Sequence, residues 1–172
     1  MANTMTLISA TTVGSGGASS IDFTSITNAY TDLILKISAR VSGTAGVKDI
    51  AIQYNGDTAT NYSYVEMVGT GSGLSGGSGS SVRHNTIAPP DSSTSNTFDN
   101  VEIYIPNYTS SNAKAASVDA VVENNSISTD IQLRLQAWKW SGTSAITSIK
   151  VFAPGQTILQ YSTAYLYGIK NS

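Results

Sequence analysis

The stretch Asp32-Leu33-Ile34-Leu35-Lys36-Ile37-Ser38-Ala39-Arg40-Val41 alternates almost without a break. Leu33, Leu35, Ile37, Ala39 and Val41 point one way. Asp32, Lys36, Ser38 and Arg40 point the other, with Ile34 the one exception. A period of two puts successive side chains on opposite faces, so this stretch reads as a half-buried strand of about ten residues. The same period recurs on either side. Ile50, Ile52 and Tyr54 lead into Asn55-Gly56, a pair favoured in tight hairpins because both residues accept positive φ. Tyr62, Tyr64 and Glu66 then alternate with Ser63, Val65 and Met67, which predicts a hairpin over residues 47–68.

Further along, Val101, Ile103 and Ile105 alternate with Glu102 and Tyr104, and Pro106-Asn107 ends that strand. Val118, Ala120 and Val122 make the next. Ile131, Leu133, Leu135 and Ala137 form one face of a long strand and are its expected core row. Gln132, Arg134, Gln136, Trp138 and Trp140 form the other. Ile149 and Val151 belong to the following strand. The last strand carries Tyr161, Thr163, Tyr165, Tyr167 and Ile169 on one face. Two weaker candidates, 5–13 and 20–24, bring the expected total to nine or ten strands.

No long window places apolar residues at helical spacing. Short turns between strands leave no room for helical crossovers, so the pairing is antiparallel. The expected fold is therefore all-β, an antiparallel β-sandwich that is jelly-roll-like. Residues 1–20 read as an N-terminal arm or first strand, and 21–172 as a single sandwich domain. Within it, Gly69 to Ser81 is almost entirely Gly and Ser, and Pro89-Pro90 with the polar run Asp91 to Asn96 continues the irregularity. Residues 69–97 are expected to be a long exposed excursion from the sheet.

Charged residues make up only 12% of the chain, with Lys and Arg numbering 9, Asp and Glu 11, and a net charge of −2. Polarity comes instead from Ser (26), Thr (20), Asn (12) and Gly (15). Without a basic cluster there is no electrostatic footprint for nucleic acid. No apolar run approaches the length of a membrane span. Met1 to Thr6 has neither a basic nor an apolar segment of signal-peptide type, so no signal peptide is expected. The chain has no cysteine, which removes disulfides and thiolate metal sites.

Several segments together resemble a known group. They are Tyr30-Thr31-Asp32-Leu33-Ile34-Leu35, Tyr54-Asn55-Gly56-Asp57-Thr58, Asn61-Tyr62-Ser63-Tyr64, Glu102-Ile103-Tyr104-Ile105-Pro106-Asn107-Tyr108 and Tyr161-Ser162-Thr163-Ala164-Tyr165-Leu166-Tyr167-Gly168-Ile169. The chain resembles small β-rich virion structural proteins of tailed phages, particularly those of cyanobacterial and marine hosts. The resemblance implies a capsid decoration (cement) protein on the outer capsid surface, or a fibre component. Its implied partners are further copies of itself, a trimer suiting three-fold lattice positions, and the major capsid protein. In the fibre alternative the partner is a host-surface carbohydrate or receptor.

Candidate chemistry is sparse. Gly71-Ser72-Gly73-Leu74-Ser75-Gly76 fits G-x-G-x-x-G, but no helix can follow it, so the dinucleotide reading fails. His84, the one histidine, lies in a polar stretch and reads as a solvated loop residue. Asp49, Asp57 and Glu66 belong to one expected hairpin, but nothing in the spacing defines a catalytic pair. Asp57 reads as a turn residue. These considerations predict no enzyme, no cofactor and no metal site. The residues singled out are Trp138 and Trp140, on the face opposite the expected core row, and Tyr165 and Tyr167. Large aromatics so placed need a cover: a loop of the same chain, a second sheet, a neighbouring subunit or a sugar ring.

Overall fold

The computed structural model describes residues 4–44, 46–122 and 131–170. The described residues form strands and turns without any helix. The strands are β1 (Met5–Thr12), β2 (Ser20–Phe23), β3 (Asp32–Ser38), β4 (Lys48–Tyr54), β5 (Tyr62–Thr70), β6 (Gly73–Ser81), β7 (His84–Ala88), β8 (Asn100–Ile105), β9 (Lys114–Val122), β10 (Gln132–Trp140), β11 (Ile149–Phe152) and β12 (Thr163–Ile169). They make an eight-stranded sheet, β1-β12-β3-β8-β9-β10-β5-β6, and a four-stranded sheet, β2-β11-β4-β7. All strand pairs are antiparallel.

The orders β1-β12-β3-β8 and β2-β11-β4-β7 are those of a jelly roll, in which the chain passes back and forth between two sheets. The other four strands are two hairpins, β5–β6 and β9–β10. They join through the β10–β5 pairing and widen the first sheet beyond β8. The core lies between the sheets. Leu33, Leu35, Ile37, Val101, Ile103, Ile105 and Leu166 meet Ile21, Phe23, Ile50, Ile52, Ile149 and Val151, all essentially inaccessible. At roughly 1.5–3 kcal/mol per buried aliphatic side chain, this row dominates the stabilisation.

Twelve strands stand where nine or ten were expected. The two unforeseen ones, β6 and β7, lie inside 69–97, so that segment is no excursion. In β6 the Gly and Ser residues give no apolar alternation, yet the strand pairs with β5 along its whole length, from Tyr62↔Ser81 to Thr70↔Gly73. Its composition has a packing reason. A Cβ on Gly79 would lie 3.2 Å from the Tyr64 ring, so the bare backbone lets that ring lie across the strand.

The expected hairpin over 47–68 is also corrected. Asn55 and Gly56 do turn the chain with positive φ, 52° and 67°. However, β4 belongs to the short sheet and β5 to the long one. The turn is followed by a crossing, fixed by Tyr62, whose backbone starts β5 while its hydroxyl lies 3.1 Å from the Tyr54 amide nitrogen and accepts from it.

The polar run 91–97 is tied down by Arg40. Its guanidinium donates to the backbone oxygens of Asp91 (2.8 Å), Ser93 (2.7 Å), Thr94 (2.6 Å) and Thr97 (3.2 Å). Next to it, the Ala39 amide donates to the Asp99 carboxylate, and burial pushes that carboxyl well above its ordinary range.

Candidate functional site

Trp138 and Trp140 face inward, against the expectation. They are 2% and 4% exposed. With Tyr54, Tyr62 and His84 they form an aromatic cluster between the sheets. The His84 and Trp138 rings stack at 4.4 Å and 6°, and Tyr54 meets Trp140 edge-on at 5.7 Å. Trp140 Nε1 donates to Asp57 Oδ2 at 2.7 Å. That bond, with the one from Asn61, holds the Asp57 carboxyl below its ordinary value. The second sheet is thus what covers the tryptophans, and neither offers a platform for a sugar or a neighbour. His84 is likewise not a loop residue: it opens β7, is 2% exposed and has no hydrogen-bond partner among the described residues. Burial pushes its imidazole down to about 3, so it is neutral and carries no charge at ordinary pH.

The phase of β10 is inverted by the same geometry. Its expected core row points outward: Leu133 is 42% exposed, Leu135 46%, and Ala137 is exposed. Cross-strand register shows what they join. Leu135 stands opposite Met67, Ala137 opposite Val65, and Leu133 opposite Gly69, which is itself opposite Leu74. On the other side Leu133 faces Val121. Paired residues share a face, so Val65, Met67, Leu74, Val121, Leu133 and Leu135 form one apolar area, with Ile131 beside it. Leu74 is the most open, at 84%.

Tyr165 and Tyr167 lie half-buried on this same outer side of the eight-stranded sheet, their rings 6.5 Å apart. The row Leu7–Tyr167–Ile34–Tyr104–Ser117–Ala137–Val65 runs from β1 to β5 through successive pairs. Charge on this side comes from the Lys36–Glu102 ion pair at 2.7 Å and from exposed Asp119, opposite Leu135, and Lys139. The ion pair, through its hydrogen bond first, raises the Lys36 pKa.

The inner face of the β10–β5–β6 extension is polar where it passes the short sheet's edge strand β7. There a groove of about 290 Å³ opens. Gln136, 6% exposed, donates from Nε2 to Glu66 Oε2 (3.0 Å) and to the Asn85 carbonyl (3.1 Å). Arg134 lies 3.7 Å from the same Glu66 oxygen. Arg83 and Asp49 enter from the β6–β7 turn and from β4, and Tyr64 and Ser80 complete the wall. Asp49 and Glu66 therefore share a site, whereas Asp57 is held at Trp140. Sequence reasoning missed the groove because its residues come from four separated segments. The one available signal was Arg134 and Gln136 in phase with two tryptophans. Among the described residues no group of three or more His, Asp or Glu could hold a metal ion. Among the described residues no helix is long and apolar enough to cross a membrane.

Comparison of the chain with protein-family models, with curated proteins and with solved structures found no match.

Proposed function

We propose that the chain is a structural component of a tailed-phage virion, a capsid decoration (cement) protein that acts by burying surface and not by catalysis. One observation carries this reading: the open apolar area on the outer side of the eight-stranded sheet. Its seven large side chains are exposed by 37% (Val121) to 84% (Leu74), and a contiguous apolar patch of several hundred Å² on a monomer commonly marks an interaction surface. Such a face, with few charges, suits burial against a second copy of the chain. In a virion the resulting homo-oligomer, a trimer at three-fold junctions, would sit on the major capsid protein. The resemblance of the segments quoted above to phage virion proteins supports the same reading, and so does the jelly-roll body, a fold common among capsid proteins. Fold alone does not decide function.

The alternative within the virion is a fibre component that recognises a host-surface carbohydrate or receptor. The polar groove is the observation that favours it. Immunogold labelling of purified particles with antibody to this chain separates the two. Gold over the head is expected. Gold confined to the tail or its fibres would overturn the decoration reading.

A further inference from the structure

We infer that the groove between the β10–β5–β6 extension and β7 binds a neutral sugar, one pyranose ring at a time. The inference rests on the groove alone and holds for either position in a virion. Its charges are matched, two arginines (Arg83, Arg134) against two carboxylates (Asp49, Glu66). An anion would need surplus positive charge, and a cation surplus negative charge. A matched set of donors and acceptors suits a ligand that is uncharged and does both, as hydroxyl groups do.

Two buried atoms at this site are unsatisfied. Gln136 Oε1 is an acceptor and Arg134 Nε a donor, and neither has a hydrogen-bond partner among the described residues. The Gln136 amide is oriented by its own bonds, since both groups around Nε2 are acceptors, Glu66 Oε2 and the Asn85 carbonyl. Its oxygen is thereby left free. An unpaired buried polar group is costly, and a hydroxyl, which both donates and accepts, is able to satisfy either atom where the groove opens to it.

Gly77 and Gly79 on β6 stand across from Glu66 and Tyr64, and the space a side chain at 79 would need is taken by the Tyr64 ring, which is thereby held at the groove. Tyr64 is half-buried and lines the opening, which provides an aromatic surface for the apolar face of a pyranose. The volume lies at the small end of ligand sites, of roughly 300–1,000 Å³, and so suits a single ring.

The test is nuclear magnetic resonance on the isotope-labelled full chain, titrated with glucose, galactose, mannose, rhamnose and N-acetylglucosamine to millimolar excess, with glucuronate as the charged control. At least one neutral sugar is expected to shift the Gln136 side-chain amide and Arg134 Nε–H signals with millimolar affinity. Gln136→Leu and Arg83→Ala should each weaken it about tenfold or more. Arg83 is half-buried at the turn, so its variant keeps the fold even if the Gln136 variant does not. No response at the groove to any of the five neutral sugars would overturn the inference. So would shifts confined to other surfaces, affinity unchanged in Arg83→Ala, or glucuronate binding more tightly than every neutral sugar. Gold labelling of particles is unaffected by any of these outcomes, so the two readings fail separately.

Discussion

His84 is packed among Tyr54, Tyr62 and Trp138 with no charged group against its ring, and this makes it a pH-dependent weak point. Its folded pKa of about 3 lies below the ordinary 6.5, so the folded state binds fewer protons than the unfolded one. The stability linked to His84 is fully present above pH 6.5 and is lost as pH falls toward 3, by at most roughly 5 kcal/mol. Asp99 acts oppositely, because its raised pKa favours the fold at low pH. We therefore expect His84→Phe to flatten the acid side of the stability profile in urea unfolding between pH 6.5 and 4. An unchanged slope would count against the burial of His84. Arg40 supports a second expectation. Arg40→Met removes the fork that gathers four carbonyls and should cost about 2–3 kcal/mol, with raised hydrogen exchange confined to 91–97. Protection there equal to wild type would contradict the tether. Neither role was legible in the sequence. Alternation put Arg40 on the polar side of an expected strand through Val41, but β3 ends at Ser38 and a polar loop wraps the residue. His84 was obscured by its Gly, Ser and Pro neighbours.

Strands β6 and β10 show how far a periodic pattern can be trusted. Alternation in β10 was read correctly as alternation, but its sign depended on what lies beneath. Half of the inner face covers the core and carries Trp138 and Trp140. The other half passes beyond the short sheet and carries Arg134 and Gln136. Average hydrophobicity therefore pointed to the wrong face. Strand β6 has no pattern at all, and its pairing comes from backbone hydrogen bonds along β5. This changes the expectation for shortening the Gly/Ser segment. Replacing 70–80 by a short turn would leave Gly69 and Ser81 to be joined across about 24 Å, the length of β5 from Tyr62 to Gly69, and should unravel β5. Removing register partners together, residues 68–75 with a two-residue turn joining Met67 to Gly76, should keep the fold. Thermal unfolding followed by circular dichroism checks both. A stable one-sided deletion would show that 69–81 is a loop after all.

Fold class was legible because β3, β8, β9 and β12 alternate cleanly and their inner rows meet a second sheet. The sheet order was not, since a jelly roll pairs strands far apart in the chain, β1 with β12 and β2 with β11. The two hairpins that widen one sheet depend on that order, and so do the outer apolar face and the groove. Of the residues singled out from sequence, Tyr165 and Tyr167 are on the outer side and the tryptophans are not. The oligomer expectation therefore moves from the tryptophans to Val65, Met67, Leu133 and Leu135. Placing charge there should break assembly without touching the core, whereas Trp138→Ala should unfold the domain by about 3–5 kcal/mol. The most direct test is light scattering on the purified full chain and on Met67→Lys/Leu135→Glu. The wild type should have a mass that is a multiple of 17.9 kDa, and the double variant should be monomeric with an unchanged β spectrum. A monomeric wild type at high concentration, or a double variant that assembles like wild type, would contradict the claim that this face is the protein's working surface.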